Sequence, residues 1–236
     1  MNELFHEDAY RRACPAHVLR HDEAGLVTDA TVFYPLGGGQ PGDSGYARLG
    51  DGRSLRIVDT RRDKETRAIQ HQLEPGGAPG FLVPGTPLVL ELDWERRYRH
   101  MRMHTCLHLL SAVIKAGVTG GNLNDQTGRL DFDLATSDLH GAEIEAQLAA
   151  LVADDREVRV RHISGTELAA RPELIRTMAV TPPLHLPDIR LVEIEGADLQ
   201  PCGGTHLARS GEIGAVYVAK IENKGRNNKR VVLALA

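Results

Sequence analysis

The sequence predicts an α+β protein, in which a small N-terminal β-barrel precedes a two-layer α/β domain with a mainly antiparallel sheet. Residues 1–93 contain short β-prone segments, separated by turns that are rich in glycine and proline. From Trp94 onwards the pattern becomes helical, and helices are then mixed with strands. We therefore expect two domains, 1–93 and 94–236.

The strands of the first domain are predicted from composition and turn signals. β-Branched and aliphatic residues concentrate at 16–20, 25–33, 54–59 and 87–93. Turn-rich stretches lie at 35–45, 50–52 and 74–80. Short strands separated by such turns are typical of a small barrel.

The second domain begins with a predicted helix at 94–116. Its apolar residues recur at helical spacing and form one stripe: Met103, Leu107, Leu110 and Ile114. Cys106 lies on a different side of the helix from His104 and His108, so we expect it in the core. Gly117 and the glycine pair at 120–121 are predicted to end the helix.

The remaining elements of this domain are one helix and several strands. Residues 129–134 alternate between polar and apolar, as a half-buried strand does. Residues 136–138 offer an N-cap for a helix that runs to 152 and ends at 154–155. Further strands are predicted at 157–163, 189–194, 214–221 and 230–235.

The composition is that of a globular protein and excludes several classes. The 236 residues carry a net charge of −4 and contain no apolar run long enough to span a bilayer. The first residues lack the apolar core of a signal peptide, and three cysteines do not suggest a disulfide framework. We expect a cytoplasmic protein with no membrane association and no obligate protein partner.

Two stretches are basic although the average is acidic. One is 95–102, which runs into a histidine-rich helix segment, and the other is 220–230. Such stretches either contact phosphates or are solvated faces, and charge alone does not decide between the two.

Two short motifs carry the donor atoms that zinc prefers. His104 and His108 are one helical turn apart, which places both imidazoles on one face. Cys202 and His206 lie far along the chain, on a predicted turn with two glycines. His100 also precedes His104 by one turn, so spacing alone permits any two of the three helix histidines.

The helix motif differs from that of the zinc peptidases. Thr105 stands where the His-Glu-x-x-His motif has its glutamate, so peptidase chemistry by that route is not expected. Four protein ligands would also form a closed, structural site unless one ligand is displaced or the coordination expands.

The chain resembles a known family over essentially its whole length. The segments HTCLHLL at 104–110, CGGTH at 202–206 and SGEIG at 210–214 resemble the editing domain of alanyl-tRNA synthetase and its threonyl relatives. The segment FYPLGGGQPGDSG at 33–45 resembles the glycine-rich motif of the domain that precedes that editing unit. Because no aminoacylation module is present, the combination resembles the free-standing AlaX-type alanyl-tRNA editing proteins.

This resemblance implies a hydrolase that removes serine or glycine from mischarged tRNA(Ala) without ATP. The implied fold is an N-terminal β-barrel joined to an α/β editing domain. The implied Zn²⁺ ligands are His104, His108, Cys202 and His206, which selects two of the three helix histidines.

Such an activity compensates for the limited selectivity of the alanine-binding pocket of the synthetase. A pocket built for alanine cannot exclude the smaller glycine and rejects serine only modestly, so a second hydrolytic site supplies the missing discrimination. We expect backbone N–H groups of Gly203 and Gly204 to stabilise the oxyanion that forms when water attacks the ester. Thr105 and Thr205 either contact a serine hydroxyl or support the metal ligands. No convincing general base is evident.

Contacts to tRNA are expected from the glycine-rich loop and from basic residues. The loop residues are Gly37, Gly38, Gly39 and Gln40. Gln40 or Asp43 either reaches the site or belongs to a fixed turn that packs one domain on the other. The basic residues are Arg96, Arg97, Arg99, Lys224, Arg226 and Lys229. Residues 120–127 have no match in the family and are expected to line the amino-acid pocket, which leaves the choice between serine and glycine open.

Two alternatives belong to other functional classes. A zinc-stabilised nucleic-acid binding module would bind tRNA without turnover. A metal-dependent hydrolase of small esters or amides would need no tRNA, so its activity would not depend strongly on salt.

Overall fold

The computed structural model describes residues 1–75, 80–135, 139–178 and 184–236. The chain divides into two compact units, Met1–Tyr98 and Arg99–Ala236. No helix in the described ranges combines the length and the apolar character that a membrane crossing requires.

The first unit contains a closed six-stranded barrel. Its elements are β1 Asn2–Glu3, α1 Leu4–Glu7, β2 Ala13–Asp22, β3 Gly25–Thr28, β4 Ala30–Thr31, β5 Gly45–Leu49, β6 Ser54–Arg62, β7 Ile69–Leu73 and β8 Pro87–Leu92. The barrel order is β2-β3-β7-β6-β5-β8, and every pair in it is antiparallel. The prediction of a small N-terminal barrel is confirmed.

Alternating strands fill the barrel with apolar side chains. In β2 the buried residues Cys14, Ala16 and Val18 alternate with exposed ones, so that one face of the strand forms the core. The same core cluster includes Leu26 of β3 and Leu90 of β8. The hydrophobic pattern thus sets which face of each strand turns inward.

The second unit mixes helices with two antiparallel sheets. Its elements are most of α2 Trp94–Val113, then β9 Gly117–Leu123, β10 Thr127–Asp133, α3 Gly141–Ala153, β11 Val158–Ile163, α4 Gly165–Ala169, β12 Ile189–Ile194, β13 Asp198–Pro201, β14 Val216–Gly225 and β15 Asn228–Leu235. Short 3₁₀ turns lie at Pro172–Leu174 and Ser210–Ile213. The sheet orders are β14-β15-β10-β9 and β11-β12-β13. The predicted α+β class is confirmed.

Helix α2 packs its apolar stripe into the core. All four stripe residues are buried, and so is Cys106, as predicted. A Cβ at Gly128 would lie 2.6 Å from the Met103 side chain, so β10 lies directly against α2. This contact fixes the helix that carries two of the candidate ligands.

The glycines after α2 do not end it. The helix ends at Val113, and the segment Gly117–Leu123 forms β9, which pairs with β10. The sequence prediction was wrong because pairing with a neighbouring strand outweighs the low strand preference of glycine. The predicted N-cap at 136–138 lies outside the described residues, and α3 ends at Ala153, close to the predicted end.

Candidate metal centre

Four side chains converge within the second unit. His104 and His108 lie one turn apart on α2, and Cys202 and His206 lie in the loop that follows β13. One donor atom from each lies within 4.8 Å of the other three. Cys202 Sγ is 3.5 Å from His104 Nε2 and 3.3 Å from His206 Nε2.

These separations fit a tetrahedral metal ion. Sulfur and nitrogen ligands bound to zinc at about 2.3 and 2.1 Å lie about 3.6 Å apart. One thiolate and three imidazoles are also a donor set that zinc prefers. His100, which its spacing on the helix also permitted as a ligand, is fully buried and does not belong to this group. The group can therefore hold a metal ion, and its donors and distances are compatible with zinc.

The group is mostly buried and reaches solvent at one turn. His104, His108 and His206 are each 6% exposed, whereas Cys202 is half-buried and the adjacent Gly203 is exposed. Cys202 is therefore the most accessible of the four donor residues.

The electrostatics of the group favour a thiolate. Burial raises the pKa of Cys202, but His104, His206 and His108 together outweigh it and hold that pKa well below its ordinary value. Burial and then His104 hold the pKa of His206 well below its ordinary value. Burial lowers the pKa of His108, but Cys202 and Asp198 together raise it to about 10. The lowered pKa of Cys202 and the raised pKa of His108 have the same cause, the attraction between the two groups, and a metal held by both would have to displace a proton.

A carboxylate that the sequence analysis missed lies behind His108. Asp198 Oδ2 is 3.0 Å from His108 Nδ1 and accepts a hydrogen bond from Gln200 Nε2 at 2.7 Å. Gln200 Nε2 also donates to Ser111 Oγ at 3.2 Å. Arg176 Nε lies 3.3 Å from Asp198 Oδ1. Carboxylates in this position orient metal-binding imidazoles.

Thr105 supports a ligand. Its side chain is fully buried, and its Oγ1 lies 3.2 Å from His206 Nδ1 and accepts from the Leu207 N–H at 3.2 Å. Of the two roles considered for Thr105, this geometry favours orientation of His206, and contact of Thr105 with a serine hydroxyl stays a prediction. Thr205 is also buried.

The two glycines of the Cys202 turn differ in their surroundings. The Gly204 N–H donates to Cys202 Sγ at 3.4 Å, so the expectation that it stabilises an oxyanion is corrected. The Gly203 N–H donates to no acceptor among the described residues, and a Cβ at Gly203 would meet nothing within 4 Å. Arg190 Nη1 holds the turn by donating to the carbonyls of Cys202 at 2.6 Å and Gly204 at 3.1 Å.

The glycine-rich loop of the first unit is a tight hydrogen-bonded turn. Gly37 and Gln40 exchange backbone hydrogen bonds of 3.1 and 2.9 Å. Gly38 and Gly39 lie between them at φ values of 56° and 81°, which other residues rarely adopt. Tyr34 Oη donates to the Gly37 carbonyl at 2.9 Å, and Gln40 is buried. The fixed turn is therefore observed, and substrate contact by this loop stays a prediction.

Arg97 is internal to the first unit, which corrects its assignment as a tRNA contact. It is 0% exposed and forms an ion pair with the buried Asp43. Its guanidinium also donates to the carbonyls of Ala9 at 3.0 Å and Val32 at 2.7 Å. Asp43 in turn accepts from the Tyr34 N–H at 2.6 Å. A guanidinium that is fully buried among these partners is not accessible to a phosphate.

The other predicted basic contacts differ in accessibility. Arg96 is half-buried and donates to the Gly42 carbonyl at 2.7 Å, and Lys229 is buried with its Nζ on Asn223 Oδ1. Arg99 is exposed, as are Lys224 and Arg226 at the tip of the β14–β15 hairpin.

Sequence reasoning missed the residues that support the ligands, and the available signals differed. In β13, the polar residues Asp198 and Gln200 alternate with Leu199 and Pro201, and Cys202 follows directly. This alternation places both polar side chains on the same face of the strand, and it could have indicated them. No local pattern marks Arg176 or Arg190, because their partners come from distant parts of the chain.

One family model matches the C-terminal part of the chain. Residues 189–232 match the family described as threonyl and alanyl tRNA synthetase second additional domain. This stretch runs from β12 into β15 and includes Cys202 and His206.

Two groups of relatives match most of the chain. It is 36% identical to the alanyl-tRNA editing protein AlaX-M of Methanosarcina mazei, over 98% of this chain and 95% of that protein. The AlaX-M protein of Saccharolobus solfataricus is 30% identical over 97% of this chain and 96% of its own length. The alanine–tRNA ligase of Sulfurisphaera tokodaii is 36% identical over 93% of this chain, which corresponds to 24% of the ligase. The similarity therefore extends through both units.

Proposed function

The chain belongs to the AlaX-type family of alanyl-tRNA editing proteins, and on that premise we propose that it hydrolyses the ester of tRNA(Ala) mischarged with serine or glycine. The observation that carries this proposal is the convergence of His104, His108, Cys202 and His206 at metal-binding distances. These residues are the ligands that the resemblance of the sequence motifs implies. The reaction is water attack on an aminoacyl ester and needs no ATP.

Zinc is the cofactor that these donors suit best. When bound, it would supply a positive charge that can hold the amino acid or polarise the ester carbonyl. The chain contributes the thiolate, which the three histidines stabilise. It also contributes two hydrogen bonds that keep the rings aligned: His108 Nδ1–H donates to Asp198, and a second links Thr105 and His206.

Gly203 is the chain's own candidate for stabilising the reaction. Gly203 is exposed and follows Cys202 directly. Its N–H belongs to the same peptide group as the Cys202 carbonyl, which accepts a hydrogen bond from Arg190 Nη1. A hydrogen bond to the carbonyl of a peptide strengthens donation by the N–H of the same peptide. Removal of one such donor typically costs a factor of about 10²–10³ in rate.

Binding of the tRNA would use exposed cations. Lys224 and Arg226 lie at one hairpin tip, and Arg99 lies on α2. Exposed Lys and Arg side chains contribute sequence-independent, salt-sensitive affinity for phosphates. Recognition by Arg96 and by the loop at 37–40 would need contacts beyond the hydrogen bonds that those residues already form.

The proposal is tested by deacylation of three substrates. Purified protein, with its zinc content measured on the same sample, is incubated with Ser-tRNA(Ala), Gly-tRNA(Ala) and Ala-tRNA(Ala). We expect hydrolysis of one or both mischarged species to exceed that of Ala-tRNA(Ala). Equal rates for all three, with zinc bound, would refute it.

A zinc-stabilised tRNA-binding module without catalysis is the second candidate. It is favoured by the four protein donors, since a complete tetrahedral set is typical of structural zinc. It predicts that Cys202→Ala unfolds the second unit on loss of metal and that the wild-type protein binds tRNA without turnover. Both outcomes are read from the same samples, by circular dichroism and by filter binding.

A further inference from the structure

A group of buried polar side chains outside the four candidate ligands supports one of them. We propose that Asp198 and Arg176 are positioning residues of the metal centre: Asp198 orients His108, and Arg176 fixes Asp198. This inference rests on the zinc site of the proposed function.

Asp198 is placed to fix the orientation of an imidazole. Its side chain is 0% exposed, and its Oδ2 lies 3.0 Å from His108 Nδ1. An Nδ1 that faces a carboxylate carries a hydrogen, which leaves Nε2 of His108 as the atom available to a metal. Gln200 donates to the same oxygen at 2.7 Å, so the carboxylate cannot rotate without losing two partners.

Arg176 supplies the charge that a buried carboxylate needs. Its Nε lies 3.3 Å from Asp198 Oδ1, the oxygen that does not face His108. A buried carboxylate without a paired cation is strongly destabilising. Removal of Arg176 would therefore favour a movement of Asp198 away from its present position, which weakens its hold on His108.

Arg176 itself is fixed from two sides. Its carbonyl accepts from the Val118 N–H at 2.9 Å, and the Met178 N–H donates to the Val118 carbonyl at 2.8 Å, which ties the segment to β9. Its Nη1 donates to the Ser111 carbonyl on α2 at 3.3 Å. The position of a metal ligand thus depends on a segment far from either ligand motif.

The zinc affinity shows whether Asp198 and Arg176 position a metal ligand or form an ion pair that only stabilises the fold. A structural pair would change the free energy of unfolding and leave the zinc affinity of the folded protein unaltered. Loss of residues that orient metal ligands typically lowers metal affinity by about 10–100-fold.

The experiment measures zinc affinity by competition with a chelator. We expect Asp198→Asn to bind zinc about 10–100-fold more weakly and Arg176→Met about tenfold more weakly, with most of the loss restored in Arg176→Lys. We also expect Asp198→Asn to shift the visible spectrum of the Co²⁺-loaded protein, because the geometry around His108 changes.

Matched controls exist on the surface of the same unit. Asp188→Asn removes a carboxylate that lies 2.8 Å from His162 Nδ1 but is 66% exposed. Arg171→Met removes an exposed guanidinium that pairs with Glu173. Both should retain the zinc affinity of the wild-type protein.

Wild-type affinity in both Asp198→Asn and Arg176→Met would overturn the proposal, and so would a wild-type protein that binds no zinc. If Asp198→Asn does not fold, the test rests on comparing Arg176→Met with Arg176→Lys. Equal zinc affinities of these two variants would overturn the proposal. A wild-type protein that binds zinc but removes no amino acid would refute the proposed function alone.

Discussion

At the residue scale, the Cys202 turn shows how two adjacent glycines take different roles. Gly204 directs its N–H at the sulfur, which stabilises the thiolate, whereas Gly203 is exposed and its N–H has no acceptor among the described residues. Sequence reasoning treated them alike, because both precede the histidine of the same motif. Only the folded geometry separates the glycine whose N–H donates to the sulfur from the one whose N–H does not.

Gly203→Ala keeps the N–H but adds a methyl group to an exposed residue, which would displace a substrate held at that N–H. We expect it to lower kcat for deacylation about a hundredfold, because a misplacement of about 1 Å in a reacting group has an effect of this size. The fold should tolerate the change, since Gly203 has no positive φ and its Cβ would meet no atom within 4 Å. Single-turnover deacylation measures the effect. Gly50→Ala is the matched control, because Gly50 is equally open and lies in the other unit. Wild-type rates in Gly203→Ala would contradict an approach of the substrate to this residue.

Substitution of Thr105 tests whether this residue supports His206 or recognises the serine of the substrate. Thr105→Val removes the hydroxyl that contacts His206 and accepts from Leu207. We expect it to slow the removal of serine and of glycine by the same factor of about ten, and Thr105→Ser to restore both rates. Rates on Ser-tRNA(Ala) and Gly-tRNA(Ala) measure this directly. A loss confined to the seryl substrate would show that Thr105 contacts the serine hydroxyl instead.

At the scale of elements, patterns of spacing predict more than single residue preferences do. The stripe from Met103 to Ile114 predicted α2, and alternation predicted β10, because one face of each must be buried. The strand β9 was missed because its glycines carry no side-chain pattern, and it exists through pairing with β10. Helix periodicity also brought His104 and His108 to one face, which no property of an isolated histidine indicates.

Long-range partners explain the residues that could not be predicted. Arg97 appeared to be one of several surface cations in a basic stretch, yet Asp43 and two carbonyls from the barrel unit enclose it. Asp198 and Arg176 meet only because β13, α2 and the segment beside β9 pack together. Such contacts depend on tertiary structure, and a single sequence without aligned relatives carries no sign of them.

The strand β7 makes the barrel sensitive to acid through His71. This side chain is fully buried, with Nδ1 2.9 Å from the Leu26 carbonyl and Nε2 2.8 Å from Thr31 Oγ1. Burial is the main cause that lowers the pKa of His71 from 6.5 to about 4. The unfolded chain therefore binds a proton below about pH 6.5 that the folded barrel does not bind until about pH 4, and stability falls as the pH drops through this window.

The expected loss from His71 is about 3 kcal/mol between pH 7 and pH 4, at 1.36 kcal/mol per pKa unit. Urea unfolding followed by fluorescence of Trp94, the single tryptophan and a residue of the barrel unit, measures it. His71→Gln should be less stable at pH 7 but lose about 3 kcal/mol less on acidification. His17→Gln is the control, because His17 is exposed. Equal pH dependence in wild type and His71→Gln would contradict this assignment.

At the scale of the whole molecule, charge is distributed unevenly. The net charge is −4, but Lys224 and Arg226 form an exposed basic tip, while Arg97 and Lys229 are buried. A protein of this kind binds a polyanion through a few local contacts and not through its overall charge. Affinity for tRNA should therefore depend on salt with a modest slope.

Replacement of both tip residues by alanine should weaken tRNA binding and lower the slope of log affinity against log salt by about two, one for each phosphate contact. Filter binding between low and physiological salt measures the slope. Lys115→Ala, which removes an exposed lysine outside the basic stretches, should leave it unchanged. An unchanged slope in the double variant would place the tRNA elsewhere on the surface.

The most direct test of the editing function compares wild type with Cys202→Ala in deacylation of Ser-tRNA(Ala), Gly-tRNA(Ala) and Ala-tRNA(Ala), with zinc measured on each sample. We predict that zinc-loaded wild type removes serine or glycine faster than alanine, and that Cys202→Ala loses both the metal and the activity. Wild-type protein that contains zinc and binds tRNA(Ala), yet hydrolyses neither mischarged species faster than Ala-tRNA(Ala), would contradict the editing function.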